Sequence, residues 1–88
     1  MKLKAAILID TELPVPITGV NEELDKILNS IKEIENVNEA YVVYGRFDYV
    51  VHIEAQNYLD IVKTASEINK LENIRNTETL VEAKFADF

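Results

Sequence analysis

Eighty-eight residues, 48% of them apolar, carry 16 acidic and 9 basic side chains, a formal charge of −7, one histidine and no cysteine. A chain this short holds one domain, and its apolar content is that of a folded protein. Without cysteine there is no disulfide, thiolate metal site or cysteine nucleophile, and one histidine excludes a multi-histidine metal centre. The acidic balance argues against direct binding of nucleic acid, which needs clustered Lys and Arg against phosphate. The longest apolar runs, near Ala5–Ile9 and Tyr41–Tyr44, are far too short to cross a bilayer. The N-terminal run closed by Asp10 also lacks the core and cleavage site of a secretory signal. A cytoplasmic protein with no membrane partner is expected. A domain of this size buries only about 60–65% of its unfolded surface, so self-association is expected to complete the core.

Taken in chain order, Lys2–Ile9 reads as a strand with two apolar faces, which places it centrally in a sheet. Thr11–Val20 holds both prolines and reads as a loop. Asn21 caps a helix whose stripe is Leu24, Ile27, Leu28, Ile31 and Ile34, ending near Glu35-Asn36. Val37–Tyr44 and Phe47–Glu54 are strands joined by Gly45-Arg46, the residues of a two-residue type II′ hairpin. Asn57, with Asp60 three residues on, caps a second helix with the stripe Leu59, Val62, Ala65 and Ile68, flanked by Ile61 and Leu71. Glu72-Asn73 ends it, and Thr77–Phe85 is the last strand.

The chain repeats itself. Ile34-Glu35-Asn36-Val37 follows the first helix and Leu71-Glu72-Asn73-Ile74 the second, each leading into a strand. Two such halves make an α+β, ferredoxin-like βαββαβ sandwich. Right-handed crossovers put both helices on one face of an antiparallel four-stranded sheet of order 4-1-3-2. All of residues 1–88 form this one domain.

The hairpin register sets Val42 opposite Tyr49 and Tyr41 opposite Val50. Ala40, Val42, Tyr44, Phe47, Tyr49, Val51 and Ile53 then share the face under the helices. Tyr41, Val43, Val50 and His52 share the other, together with Asp48 and Glu54. An open sheet face does not need Tyr and Val, so this second face is expected to be a dimer interface.

His52 is the side chain best suited by type to general-base work, but no Ser, Cys or second His lies near it in sequence. Asp48, His52 and Glu54 are spread along one strand at about 7 Å per two residues, too far apart to share an ion, and no metal is expected. Gly19 and Gly45 alone cannot make a phosphate-binding loop, and no cofactor is expected. The turn Gly45-Arg46-Phe47-Asp48 is richer: exposed amides and a cation can hold a carboxylate, and a carboxylate can hold an ammonium.

The run Glu39–Val51, an apolar strand, Gly-x-x-Asp, an aromatic and a second apolar strand, resembles the effector-binding (RAM) domain of the Lrp/AsnC feast/famine regulators. A Thr-rich strand start, Asn76-Thr77-Glu78-Thr79-Leu80-Val81, matches as well. The resemblance implies domains that pair through their sheets, dimers that build octamers or similar rings, and a small amino acid bound between dimers. It points to Gly45, Arg46, Phe47, Asp48, Thr77 and Thr79, with Asp48 receiving the ammonium, turn amides and a threonine hydroxyl the carboxylate. Arg46 would stand at the rim, selecting an acidic or polar side chain. Three departures stand out. The Thr11–Val20 loop is longer than expected, the tetrads match the family's turns only in their last residue, and the first strand starts at Lys2 with no helix-turn-helix before it. The expectation is therefore a non-enzymatic, stand-alone effector module, with a full-length regulator as a candidate co-assembly partner. Two rivals share the topology: a small dimeric α+β-barrel enzyme of monooxygenase type, with His52 or Tyr41 facing an apolar pocket, and an assembly module that binds no ligand.

Overall fold

The computed structural model describes residues 2–12 and 22–83. Six elements follow in the expected order: β1 (Leu3–Thr11), α1 (Glu22–Lys32), β2 (Val37–Val42), β3 (Tyr49–Ala55), α2 (Tyr58–Asn69) and β4 (Ile74–Val81). The strands form one antiparallel sheet of order β2-β3-β1-β4, which is the expected order read from the other edge. The proposed cap Asn21 and the expected strand end at Phe85 lie outside the described residues. No described helix is long and apolar enough to cross a membrane.

Both helices lie on the same side of the sheet. Ile9 is paired with Tyr49 on one flank and Thr77 on the other, so these three side chains share a face. The Tyr49 hydroxyl donates to the Leu24 carbonyl of α1 at 2.9 Å, and the Thr77 hydroxyl to Asn69 Oδ1 of α2 at 3.0 Å. Between the layers lie Ile7, Ile9, Val51 and Ile53 of the sheet with Ile31, Ile61 and Ile68 of the helices, all essentially inaccessible. Burial of each is worth about 1.5–3 kcal/mol. On the opposite face Ala6, Leu8, Val50 and His52 are half-buried, while Tyr41 and Leu80 are exposed.

The repeated tetrads fold alike. Asn36 has φ 76° and Asn73 φ 68°, the left-handed conformation that asparagine tolerates, each four residues beyond the end of its helix and directly before its strand. Each is followed by an apolar residue and then a register irregularity. Between Val37 and Glu39 the pairing skips Asn38, and between Ile74 and Asn76 it skips Arg75. The internal repeat thus includes a β-bulge at matching positions of its two halves.

Local readings fail where tertiary contacts compete. α1 ends at Lys32, before Glu35-Asn36. β4 opens at Ile74, three residues before Thr77, because the bulge lets it pair with Thr11. In α2 the buried residues are Ile61, Thr64 and Ile68, whereas Leu59 and Val62 are 61% and 62% exposed. The stripe is rotated because Thr64 is drawn inward: its hydroxyl donates to Asp60 O at 2.8 Å and accepts from Asn36 Nδ2 at 3.2 Å. Asn57 caps α2 as expected, its Oδ1 accepting from the Asp60 N–H at 3.0 Å.

The register Val42–Tyr49 and Tyr41–Val50 matches expectation, but the ladder stops there. Beyond it only the Val43 N–H donates to the Asp48 carbonyl, at 2.8 Å. Gly45 has φ 150°, far from the roughly +60° of a type II′ turn. Ala40, Tyr49, Val51 and Ile53 are buried as expected, while Tyr44 is 67% and Val42 37% exposed. Tyr49 meets the first turn of α1, so the hairpin beyond it runs out from under the helix.

Candidate functional site

The wide hairpin is held by Asp48. Its backbone N–H donates to the Ile9 carbonyl at 2.8 Å, tying the turn to the central strand. Its Oδ2 accepts from the Thr11 N–H at 2.8 Å and the Thr11 hydroxyl at 2.9 Å, and Thr11 is almost fully buried. One carboxylate oxygen is thereby committed to Thr11, while Oδ1 has no hydrogen-bond partner among the described residues. Next to this anchor, the Glu12 N–H donates to the Asn73 carbonyl at 2.9 Å, fastening the end of β1 to the turn before β4.

The bulge then brings in Arg75. Its Nε donates to Asp10 Oδ2 at 3.1 Å and its Nη2 to Oδ1 at 3.0 Å, a two-point guanidinium–carboxylate pair across β1 and β4. The chain has only two arginines, Arg46 and Arg75, and both stand at this end of the sheet. Arg46 leaves the hairpin with its guanidinium carbon 5.6 Å from the centre of the Phe47 ring.

Two clefts meet here and share Asp10 and Arg46. One, of about 400 Å³, is walled by Gly45, Asp48, Thr11, Glu12 and Arg75. The other, of about 460 Å³, is walled by Phe47, Asn76, Thr77 and Glu78. Both volumes suit a ligand of a few to a dozen heavy atoms. The clefts thus gather Gly45, Arg46, Phe47, Asp48 and Thr77 from the residues singled out in the sequence. Thr79 lines neither: it shares a face with Thr77 but pairs with Ile7 rather than Ile9, two residues further along the strand from this end of the sheet. The Thr77 hydroxyl is already donating to Asn69.

Sequence reasoning missed Asp10, Thr11, Glu12, Arg75 and Glu78. Asp10 and Arg75 are 65 positions apart, and their meeting depends on a bulge that no local pattern announces. The one available signal was that the chain has just two arginines, one in the turn and one directly after the second tetrad.

The open sheet face holds the other singled-out residues. Tyr41 and His52 are neighbours across β2 and β3, with the Tyr41 hydroxyl 3.1 Å from His52 Nε2 and ring centres 5.7 Å apart. Val50 pairs with Tyr41 on the same face, and Val43 continues that row towards the hairpin. Glu54 lies 3.9 Å from Lys4 Nζ, and Asp48, expected on this face with His52, is turned to Thr11 instead. A shallow hollow of about 300 Å³ runs beside His52 over Ala6 and Leu80.

Comparison with known proteins places the fold. The hypothetical protein PHS023 from Pyrococcus horikoshii superposes with a TM-score of 0.73 at 27% identity, over 92% of this chain and 89% of that one. AsnC from E. coli matches with a TM-score of 0.69 at 17% identity, over 98% of this chain and 55% of that one. The transcriptional regulator NMB0573 from Neisseria meningitidis, solved as an L-Met complex, matches with a TM-score of 0.73 at 10% identity, over 98% of this chain and 53% of that one. The chain therefore spans about half the length of the two regulators and most of the small archaeal protein. No curated protein matches it in sequence. The Lrp/AsnC ligand binding domain matches over residues 15–84, so the chain belongs to the Lrp/AsnC ligand-binding domain family.

Proposed function

We propose that this chain is a non-enzymatic effector module of the cytoplasm that binds a free α-amino acid in the clefts around Arg46 and answers by changing its assembly. The observation that carries the reading is the convergence of a free guanidinium, turn amides and the second oxygen of Asp48 in clefts of ligand size. The ligand carboxylate meets Arg46 and the amides at Gly45–Phe47, and its ammonium meets Asp48 Oδ1. Support comes from the family and from its Neisseria relative, a regulator solved with L-Met.

Assembly in this reading uses the open face, where Tyr41, Val43, Val50 and His52 adjoin Leu8 and Leu80. Pairing two such faces would cover the hollow beside His52 and supply the burial that a small domain lacks. Dimers would associate further into a ring, and a full-length regulator of the same family is a natural co-assembly partner. A ligand bound where subunits meet favours one assembly by its differential affinity for it.

The test is a thermal-shift screen against the twenty amino acids, with light scattering on any that respond. An amino acid that raises Tm and shifts the mass distribution supports the module. A chain that assembles identically with and without every amino acid is a ligand-free assembly protein instead.

A further inference from the structure

Internal pairing leaves the charges around Arg46 unequal. Arg75 is taken up by Asp10 in the two-point pair. Among the described residues, Arg46, Glu12 and Glu78 make no ion pair. One guanidinium is therefore set against the carboxylates of Asp48, Glu12 and Glu78.

The arrangement is also divided. Arg46 belongs to both clefts, Glu12 and Asp48 to one, and Glu78 to the other. A ligand carboxylate held at the shared guanidinium would have a carboxylate of the protein on each side. A neutral amino acid offers one cation for the two lobes. An acidic one brings a second anion against them, which like-charge repulsion penalises. A basic one fills both.

We infer that the site selects amino acids with a cationic side chain, lysine- or arginine-like, with Glu78 as the residue that determines it. The inference rests on the amino-acid reading of the site. The α-carboxylate sits at Arg46, the α-ammonium enters the lobe of Asp48 and Glu12, and the side chain runs past Phe47 so that its cation reaches Glu78. The aliphatic stem of lysine or arginine suits the half-buried Phe47 ring, with only the charged tip left in a polar setting.

The experiment is calorimetric titration of the full chain with lysine, arginine, leucine and glutamate at low and raised salt, repeated with Glu78→Gln. Glu78 is exposed, so the substitution leaves the fold intact, which its melting curve verifies. Lysine or arginine should bind roughly tenfold more tightly than glutamate, the worth of one charge-assisted hydrogen bond, with the gap narrowing as salt screens it. Glu78→Gln should remove most of the preference of lysine over leucine. Equal affinities for lysine, leucine and glutamate, or a lysine preference untouched by Glu78→Gln, would overturn the selectivity while the amino-acid reading stands. Failure of all four to bind would overturn the selectivity, and absence of any response among the twenty would overturn the underlying reading.

Discussion

Asp48 Oδ2 holds Thr11 by two hydrogen bonds, one to its backbone N–H at 2.8 Å and one to its hydroxyl at 2.9 Å, across 37 residues of chain. The aspartate of the Gly-x-x-Asp turn thus ties one wall of the cleft to the end of β1. Asp48→Ala leaves a buried N–H and hydroxyl without this acceptor, at a cost of about 1–3 kcal/mol. Asp48→Asn retains an acceptor oxygen and should lose less. Denaturant melts of the two variants check the order; equal loss from both would mean that the acceptor geometry at Thr11 is not what matters.

Among the described residues Tyr49 is the best-buried aromatic side chain, and its hydroxyl donates to Leu24 O at 2.9 Å. Burial raises its pKa to about 12, with the neighbouring carboxylates of Asp48 and Asp25 adding to the effect. An acid whose pKa is higher in the folded state than in the unfolded one stabilises the fold fully below the unfolded value, near 10 for tyrosine. That contribution falls away as pH rises from about 10 through 12. Stability should therefore decline in this alkaline window, and the decline should be shallower in Tyr49→Phe. Parallel alkaline melts of both proteins measure it, with tyrosinate absorbance reporting the ionisation.

Asn73, with φ 68°, presents its carbonyl to the Glu12 N–H at 2.9 Å and sets the direction from which Arg75 approaches Asp10. Asn73→Gly keeps this backbone available and should cost only a few tenths of a kcal/mol. Asn73→Ala forces a Cβ-bearing residue without a stabilising side chain into the left-handed region, at roughly 1–2 kcal/mol. Thermal melts of the pair distinguish backbone strain from loss of the amide side chain: equal destabilisation by both would implicate the amide.

Val50 lies half-buried at the centre of the open face, beside Tyr41 and Leu8. Val50→Lys places a charge where a paired sheet would exclude water, and the cost of burying it unpaired exceeds what a small interface returns. The variant should remain folded by circular dichroism and shift to monomer by light scattering. An unchanged mass would move the interface elsewhere.

Local chemistry by itself determined a good part of this protein. The order of six elements, the central place of β1, the hairpin register and the turns at Asn36 and Asn73 follow from apolar periodicity, β-pairing and the tolerance of asparagine for positive φ. Gly45-Arg46-Phe47-Asp48 was legible as chemistry because anion- and cation-binding groups lie together within four residues. Tertiary structure decided the rest. The rotated face of α2 depends on Thr64 answering Asn36, and the open hairpin on Asp48 answering Ile9 and Thr11. Thr77 and Thr79 share one face of the edge strand two residues apart, and only Thr77 meets Asn69 and one of the clefts. The Asp10–Arg75 pair needs two distant strands and a bulge between them. Side-chain periodicity reports which way a residue points within its own element; which distant residue it meets is set only when the elements pack, and the candidate site is built almost entirely from such meetings.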